Sequence, residues 1–252
     1  RGCEPDIITY GIMVDSLCKA GRVEKAVKVV TEMKHRGCPP TSFIYSVLVH
    51  TYGVEKRIED AVETFLEMER DGVVPDVVVY NALVSAFCKV HRFENAYRVL
   101  GEMEEKRVCP NSRTCNIILN SLIGLGRNDE AYRFFRRMIK VCEPDSDTYT
   151  VMIKMFFESN RVKMAMKVWK YMGIKQFVPS MHTFSVLING LCEKGEVDKA
   201  CIFLEEMIEK GIRPPGTTFG RLRKLLLEEK REDVLKFLEE KMKVLVKEPL
   251  CD

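Results

Sequence analysis

Five arginines, Arg22, Arg57, Arg92, Arg127 and Arg161, recur at one point of a regular interval, and Glu196 breaks the series. Lys19 and Lys89 stand three residues before the first and third of them. A ladder of cations at even spacing can follow the phosphates of a nucleic-acid backbone. The same arginines can instead top helices and pair with nearby carboxylates such as Glu24 or Glu94. Other chemistries find little material. The ten cysteines contain no C-x-x-C pair, and only four histidines could complete a metal site, so neither a disulfide framework nor a zinc centre is expected. Cys18 and Cys88 lie two intervals apart and Cys192 falls at the same point of a later one, which reads as small apolar residues in a reducing compartment. None of His35, His50, His91 or His182 opens an H-x-E motif, and there is no G-x-x-x-x-G-K-[ST] loop. No catalytic residue, cofactor or metal is therefore expected.

The elements that must position these residues follow from punctuation. Prolines occur at Pro5, Pro40, Pro75, Pro110, Pro144, Pro179 and Pro214, all steps being 35 except one of 34. Ala26, Ala61, Ala96, Ala131, Ala165 and Ala200 keep the same phase, as do Met33, Met68, Met103, Met138, Met172 and Met207. Repeats are expected at 7–41, 42–76, 77–111, 112–145, 146–180 and 181–215, with 1–6 closing an earlier unit and 216–252 forming a degenerate capping unit. Within the third unit, Tyr80, Leu83, Val84 and Phe87 follow helical spacing, then Phe93, Ala96, Leu100 and Met103 make a second stripe, so each unit is a hairpin of two helices. Gly21, Gly126 and Gly195, or Asn160, mark the turn between the helices, where a left-handed residue ends a helix. G-x-x-P segments such as Gly37 to Pro40 end the second helix. The alanines should sit where helices approach closely, and Glu102 should face outward. One hairpin cannot bury both faces, so the units must stack, and the fold class expected is an all-α solenoid of helix-turn-helix hairpins.

The chain has 252 residues, 46% hydrophobic and 31% charged, with a net charge of +3. That is ample for a core, and any positive field must be local. No apolar run approaches the roughly 18 residues that span a bilayer, so no membrane partner is expected. A chain that opens at Arg1 without Met or an apolar leader is expected to be a trimmed or mature fragment, with any transit peptide absent.

The units "IITYGIMVDSLCKAGRVEKAVKVVTEMKHRGCPPT" and "VVVYNALVSAFCKVHRFENAYRVLGEMEEKRVCPN" resemble the pentatricopeptide repeat (PPR), a 35-residue hairpin of eukaryotic organelle RNA-binding proteins. The even length resembles its pure-repeat (P-type) subclass. The resemblance implies a right-handed superhelix that binds single-stranded RNA with about one base per repeat. It also implies a plant-like organellar setting, a mitochondrion or alternatively a chloroplast. The roles implied are transcript stabilisation, splicing, processing or translation, with other organellar RNA-processing or ribosomal proteins as further partners. In the family a base is specified by the fifth and last residues of a unit and sandwiched by the second. Carried onto this sequence, the reading pairs are Gly11 with Thr41, Ser46 with Asp76, Asn81 with Asn111, Asn116 with Asp145, Thr150 with Ser180, and Ser185 with Pro215. The family's code makes Asn116 with Asp145 a uracil reader, Asn81 with Asn111 a pyrimidine reader and Ser46 with Asp76 a guanine reader. Thr150 with Ser180 and Ser185 with Pro215 suggest purines, and Gly11 offers no side chain. The sandwiching residues are Ile8, Phe43, Val78, Arg113 and His182, while Asp147 places a carboxylate where the family has an apolar contact.

Bland alternatives stand beside these roles. Ile8, Phe43 and Val78 can serve helix packing, and the fifth and last residues can be helix starts and caps. A stacked-hairpin array can also hold peptides, as a scaffold within a ribosome or splicing assembly.

Overall fold

The structure, a computed structural model, describes residues 5–247. Among them lie fourteen helices and no strand. They are α1 (Ile7–Lys19), α2 (Val23–His35), α3 (Ser42–Val54), α4 (Ile58–Arg70), α5 (Val77–Lys89), α6 (Phe93–Glu105), α7 (Ser112–Gly124) and α8 (Asn128–Met138), then α9 (Ser146–Glu158), α10 (Val162–Ile174), α11 (Met181–Glu193), α12 (Val197–Glu209), α13 (Gly216–Glu228) and α14 (Glu232–Lys247). The chain divides into two compact bodies, one through Glu143 carrying α1–α8 and one from Pro144 carrying α9–α14.

In the first body α3 packs between α1 and α5, and α5 packs on α7, so the odd-numbered helices form one layer. Each even-numbered helix packs against the odd one before it. The second body repeats this, with α9, α11 and α13 in one layer and α12 touching α14.

Local chemistry explains the regularity. Residues 21, 56, 91, 126, 160, 195 and 230, one in each unit, carry positive φ. Glycine or asparagine suits that conformation, but Lys56, His91 and Lys230 adopt it as well. The next amide then bonds five residues back, as in Arg22 N–H to the Leu17 carbonyl at 2.9 Å and Arg57 N–H to that of Tyr52 at 2.9 Å, the Schellman closure of a helix end. After the even helices the same device uses Gly37, Gly72, Arg107, Gln176 and Gly211. The 34-residue unit departs from it: α8 stops at Met138, and no positive-φ residue follows before Pro144. In that segment the buried thiol of Cys142 faces that of Cys115 on α7, sulfur to sulfur 3.3 Å.

All six phased alanines are fully buried, and the six methionines are buried with them. The fourth residue of most units is a buried ring: Tyr10, Tyr45, Tyr80, Tyr149 and Phe184. Cys18, Cys88 and Cys192 are buried too, and burial pushes their thiols up, to about 11 for Cys88 and Cys192. Glu102 differs from the outward position expected of it. It accepts the Tyr80 hydroxyl at 3.1 Å and Lys106 at 2.8 Å, because a buried phenol needs an acceptor.

Candidate nucleic-acid interface

The first body carries an open groove of 810 Å³ whose walls come from the odd-numbered helices α1, α3, α5 and α7. Of the residues expected to read or sandwich bases, Ser46, Asn81, Asn111, Val78 and Arg113 line it, as does Lys19. Residues that the sequence reading did not single out line it as well: Asp15, His50 and Ser85, each four residues past a fifth position. Helical geometry puts i and i+4 on one face, so that spacing was the available signal. Burial and the positive charges of Lys89 and Arg113 hold the His50 imidazole below its usual range, and burial lowers the Lys89 ammonium. Lys89 and Arg113 thus place positive charge beside His50, while Lys19 is drawn to Asp15 at 2.6 Å.

The second-position residues are open to solvent. Ile8, Phe43 and Val78 are 71%, 55% and 56% exposed, and Arg113, Asp147 and His182 are exposed too. A Cβ on Gly11 would touch the Phe43 ring at 3.6 Å, so that ring covers the one fifth position without a side chain.

The other fifth-position residues are engaged from below. Ser46 donates to the Phe43 carbonyl at 2.7 Å, and Ser185 to that of Met181 at 2.8 Å. Asn81, only 6% exposed, accepts the Thr114 hydroxyl on Oδ1 at 2.6 Å. Thr150 donates to the Ser146 carbonyl at 2.8 Å and lies 2.9 Å from the Thr183 hydroxyl. Asn116, on α7, is half-buried.

The last residue of each unit is the N-cap of the following odd helix. Asp76 accepts the Val78 and Val79 amides at 2.9 and 3.0 Å, and its other oxygen accepts the Ser42 hydroxyl at 2.6 Å. Asn111, Asp145 and Ser180 accept the amides of Thr114, Thr148 and Thr183 at 3.0, 2.8 and 3.2 Å. Thr41 and Pro215 occupy the position without a side-chain cap bond. Satisfying helix-end amides in this way fixes where these side chains sit. Asn116 belongs to the first body and Asp145 to the second.

The arginine ladder caps the even helices: Arg22, Arg57, Arg92, Arg127 and Arg161 each precede one. Arg57 reaches back to Glu24 of the preceding unit at 2.5 Å, bonds Asp60 at 2.7 Å, and lies over the Tyr52 ring. Arg92 reaches back to Glu59 at 3.2 Å. Arg127 pairs with Glu130 at 2.5 Å and covers the Phe93 ring. In the second body Arg231 holds Asp198 of the preceding unit at 2.7 Å. The guanidiniums of Arg57, Arg92 and Arg127 thus already have carboxylate partners, and Glu94 is not among those seen.

Among the described residues no group of three or more His, Cys, Asp or Glu side chains gathers as a metal site. None of their helices is long and apolar enough to cross a membrane.

Family models meet the chain almost end to end. A PPR repeat model matches residues 1–34, the PPR repeat family model matches 40–89, 75–124, 110–158 and 144–193, and a further PPR repeat model matches 182–212. A mitochondrial pentatricopeptide repeat-containing protein of Arabidopsis thaliana is 66% identical over 118 residues, which cover 47% of this chain and 23% of that protein. A second mitochondrial one from the same plant is 32% identical over 77 residues, 31% of this chain and 14% of the relative. The chain therefore spans about a quarter or less of these relatives. Among solved structures, maize PPR10 superposes with a TM-score of 0.70 at 27% identity, covering 96% of this chain and 35% of that one. Yeast Rmd9p in complex with a 16-nucleotide target RNA shares the fold, with a TM-score of 0.58 at 14% identity over 98% of this chain and 54% of that one.

Proposed function

Because the chain belongs to the PPR repeat family, we propose that it binds single-stranded RNA, with one base lodged beside each fifth-position residue. The observation that carries this reading is the slot around Asn81. Val78 and Arg113, second residues of consecutive units, line the same groove as Asn81 and Asn111. An apolar side chain and a guanidinium can stack on the two faces of one base while a short amide meets its edge. Lys89, exposed beside His50 of the groove, supplies local charge for phosphates, whereas Lys19 already holds Asp15. Arg57, Arg92 and Arg127, already paired with carboxylates, are weaker candidates for that task.

The relatives' names support placing the protein in a mitochondrion, where it acts on organellar transcripts rather than as a catalyst. Single-stranded RNA is its direct partner. Fluorescence anisotropy with labelled hexamers is the test: RNA should bind with its 5′ end toward the N-terminus, more weakly as salt rises. A chain that captures no RNA at low salt would be a protein scaffold instead.

A further inference from the structure

Thr114 and Thr183 are the third residues of their units, and both are wholly buried. We infer that this threonine decides which hydrogen-bonding group the preceding unit's reader turns to a base; the inference rests on the base-reading function proposed above.

The Thr114 oxygen receives the Asn111 backbone N–H at 3.1 Å. Its single proton faces two acceptors, Asn81 Oδ1 at 2.6 Å and Asn111 Oδ1 at 3.0 Å. A hydroxyl donates once, and the nearer oxygen takes the proton. That bond turns the oxygen end of the Asn81 amide toward Thr114, so the end turned to the groove is Nδ2, a donor of two hydrogens. The third unit therefore offers donors and selects a base edge that presents acceptors.

The fifth unit repeats the device with the opposite outcome. Thr150 spends its proton on the Ser146 carbonyl. The Thr183 oxygen receives the Ser180 N–H at 3.3 Å and lies 2.9 Å from the hydroxyl oxygens of both Thr150 and Ser180; with the Thr150 proton committed, the bond between the two threonines is a donation from Thr183. What Thr150 keeps for a ligand is a lone pair, so this unit offers an acceptor. Where the third residue is apolar, the device is missing. Ile44 and Val79 follow the first two readers, of which Gly11 has no side chain and Ser46 donates within its own helix. Threonine in this buried place also completes a capping box with Asn111 or Ser180, which fixes its rotamer before any ligand arrives.

The test uses the 252-residue chain and uridine hexamers carrying one substituted base at each position in turn. The position whose base preference Asn81→Ala erases is that of the third unit. At that position Thr114→Val, which keeps shape and deletes the hydroxyl, should cut discrimination between bases about fivefold, the equivalent of one ordinary hydrogen bond. Preference at the second unit's position should not move, and Thr114→Ser should restore the native pattern. If Thr114→Val is unfolded by circular dichroism, Thr183→Val carries the test and must flatten preference at the fifth unit's base alone. Unchanged discrimination in a folded threonine-to-valine variant, beside an effect of Asn81→Ala, overturns the role of the threonine and leaves base reading intact. No effect of Asn81→Ala at any position removes the base-reading assignment, and this inference with it.

Discussion

Gly53 on α3 and Ala86 on α5 meet so closely that a Cβ on the glycine would stand 2.7 Å from the alanine's own Cβ. Two non-bonded carbons do not approach to that distance in a folded protein, so the helices would have to part. Gly53→Ala is expected to lower stability, because overpacking of about 1–3 kcal/mol outweighs a helix-propensity gain of at most about 1 kcal/mol. Gly101→Ala on α6, where a Cβ meets nothing within 4 Å, should raise stability by roughly 0.5–1 kcal/mol. Urea unfolding of the two variants would read the contrast directly, and shifts of equal sign would refute it.

The exposed turn residue Lys56, held at φ 60°, occupies a place that glycine fills in three other units. Left-handed backbone costs a residue with a Cβ about 1 kcal/mol. Lys56→Gly should therefore raise the thermal midpoint by a few degrees, whereas Lys56→Val should lower it. Calorimetry decides between them.

A pH dependence follows from the contact between the first two units. Hydrogen bonds from Lys34, 2.5 Å away, and from the Tyr45 hydroxyl hold the Asp71 carboxyl below its usual range. A carboxylate depressed on folding stabilises above its unfolded pKa, about 3.9, and that contribution disappears as pH falls through the lower folded value. Tyr45 is pushed up to about 12, chiefly by burial and by Asp71. Its contribution holds below the unfolded value of about 10 and fades as pH rises from there toward 12. Midpoints measured from pH 2 to pH 11 should fall at both ends. Asp71→Asn should lower the plateau and flatten the acid limb, and a variant with the wild-type profile would show that the contact does not contribute.

Val78 is exposed, so replacing it leaves the core alone. Val78→Asp should keep the thermal midpoint and weaken RNA binding about tenfold, from lost stacking and repulsion of phosphate. Asp147 is the natural counterpart of that change, and Asp147→Val should tighten binding. Titration of both variants against one oligonucleotide checks the pair, and an unaltered Val78→Asp would exclude this side chain from the base slot.

Much of the scaffold was legible because each signal had a short-range cause. Proline cannot extend a helix, the phased alanines and methionines lie where helices touch, and the odd helices start at the residues following the caps. Other features depend on how units stack. The arginines could be placed at the tops of helices, but their partners could not: Arg57 takes Glu24 and Arg92 takes Glu59, each an acid of the unit behind it. His50 shares a helical face with Ser46 yet was read only as a histidine that opens no H-x-E motif. Thr114 carried no signal of its own, and its contact with Asn81, 33 residues away, belongs to neither unit alone. The division after Glu143 falls at the one short step, which was visible as a number without a structural meaning.

The backward reach from Arg57 to Glu24 and from Arg92 to Glu59 spans 33 residues each time, and Arg231 to Asp198 repeats it. At the same register Lys163 stands in the acid's place and Glu196 in the arginine's, with the charges exchanged. At these seams neighbouring hairpins therefore recognise one another by polarity, and part of the order of the modules is written there. A shuffled array that set the sixth unit behind the second would oppose Glu196 to Glu59, two carboxylates. Anyone recombining these hairpins to spell a new RNA address must conserve each seam's handshake as well as its reader.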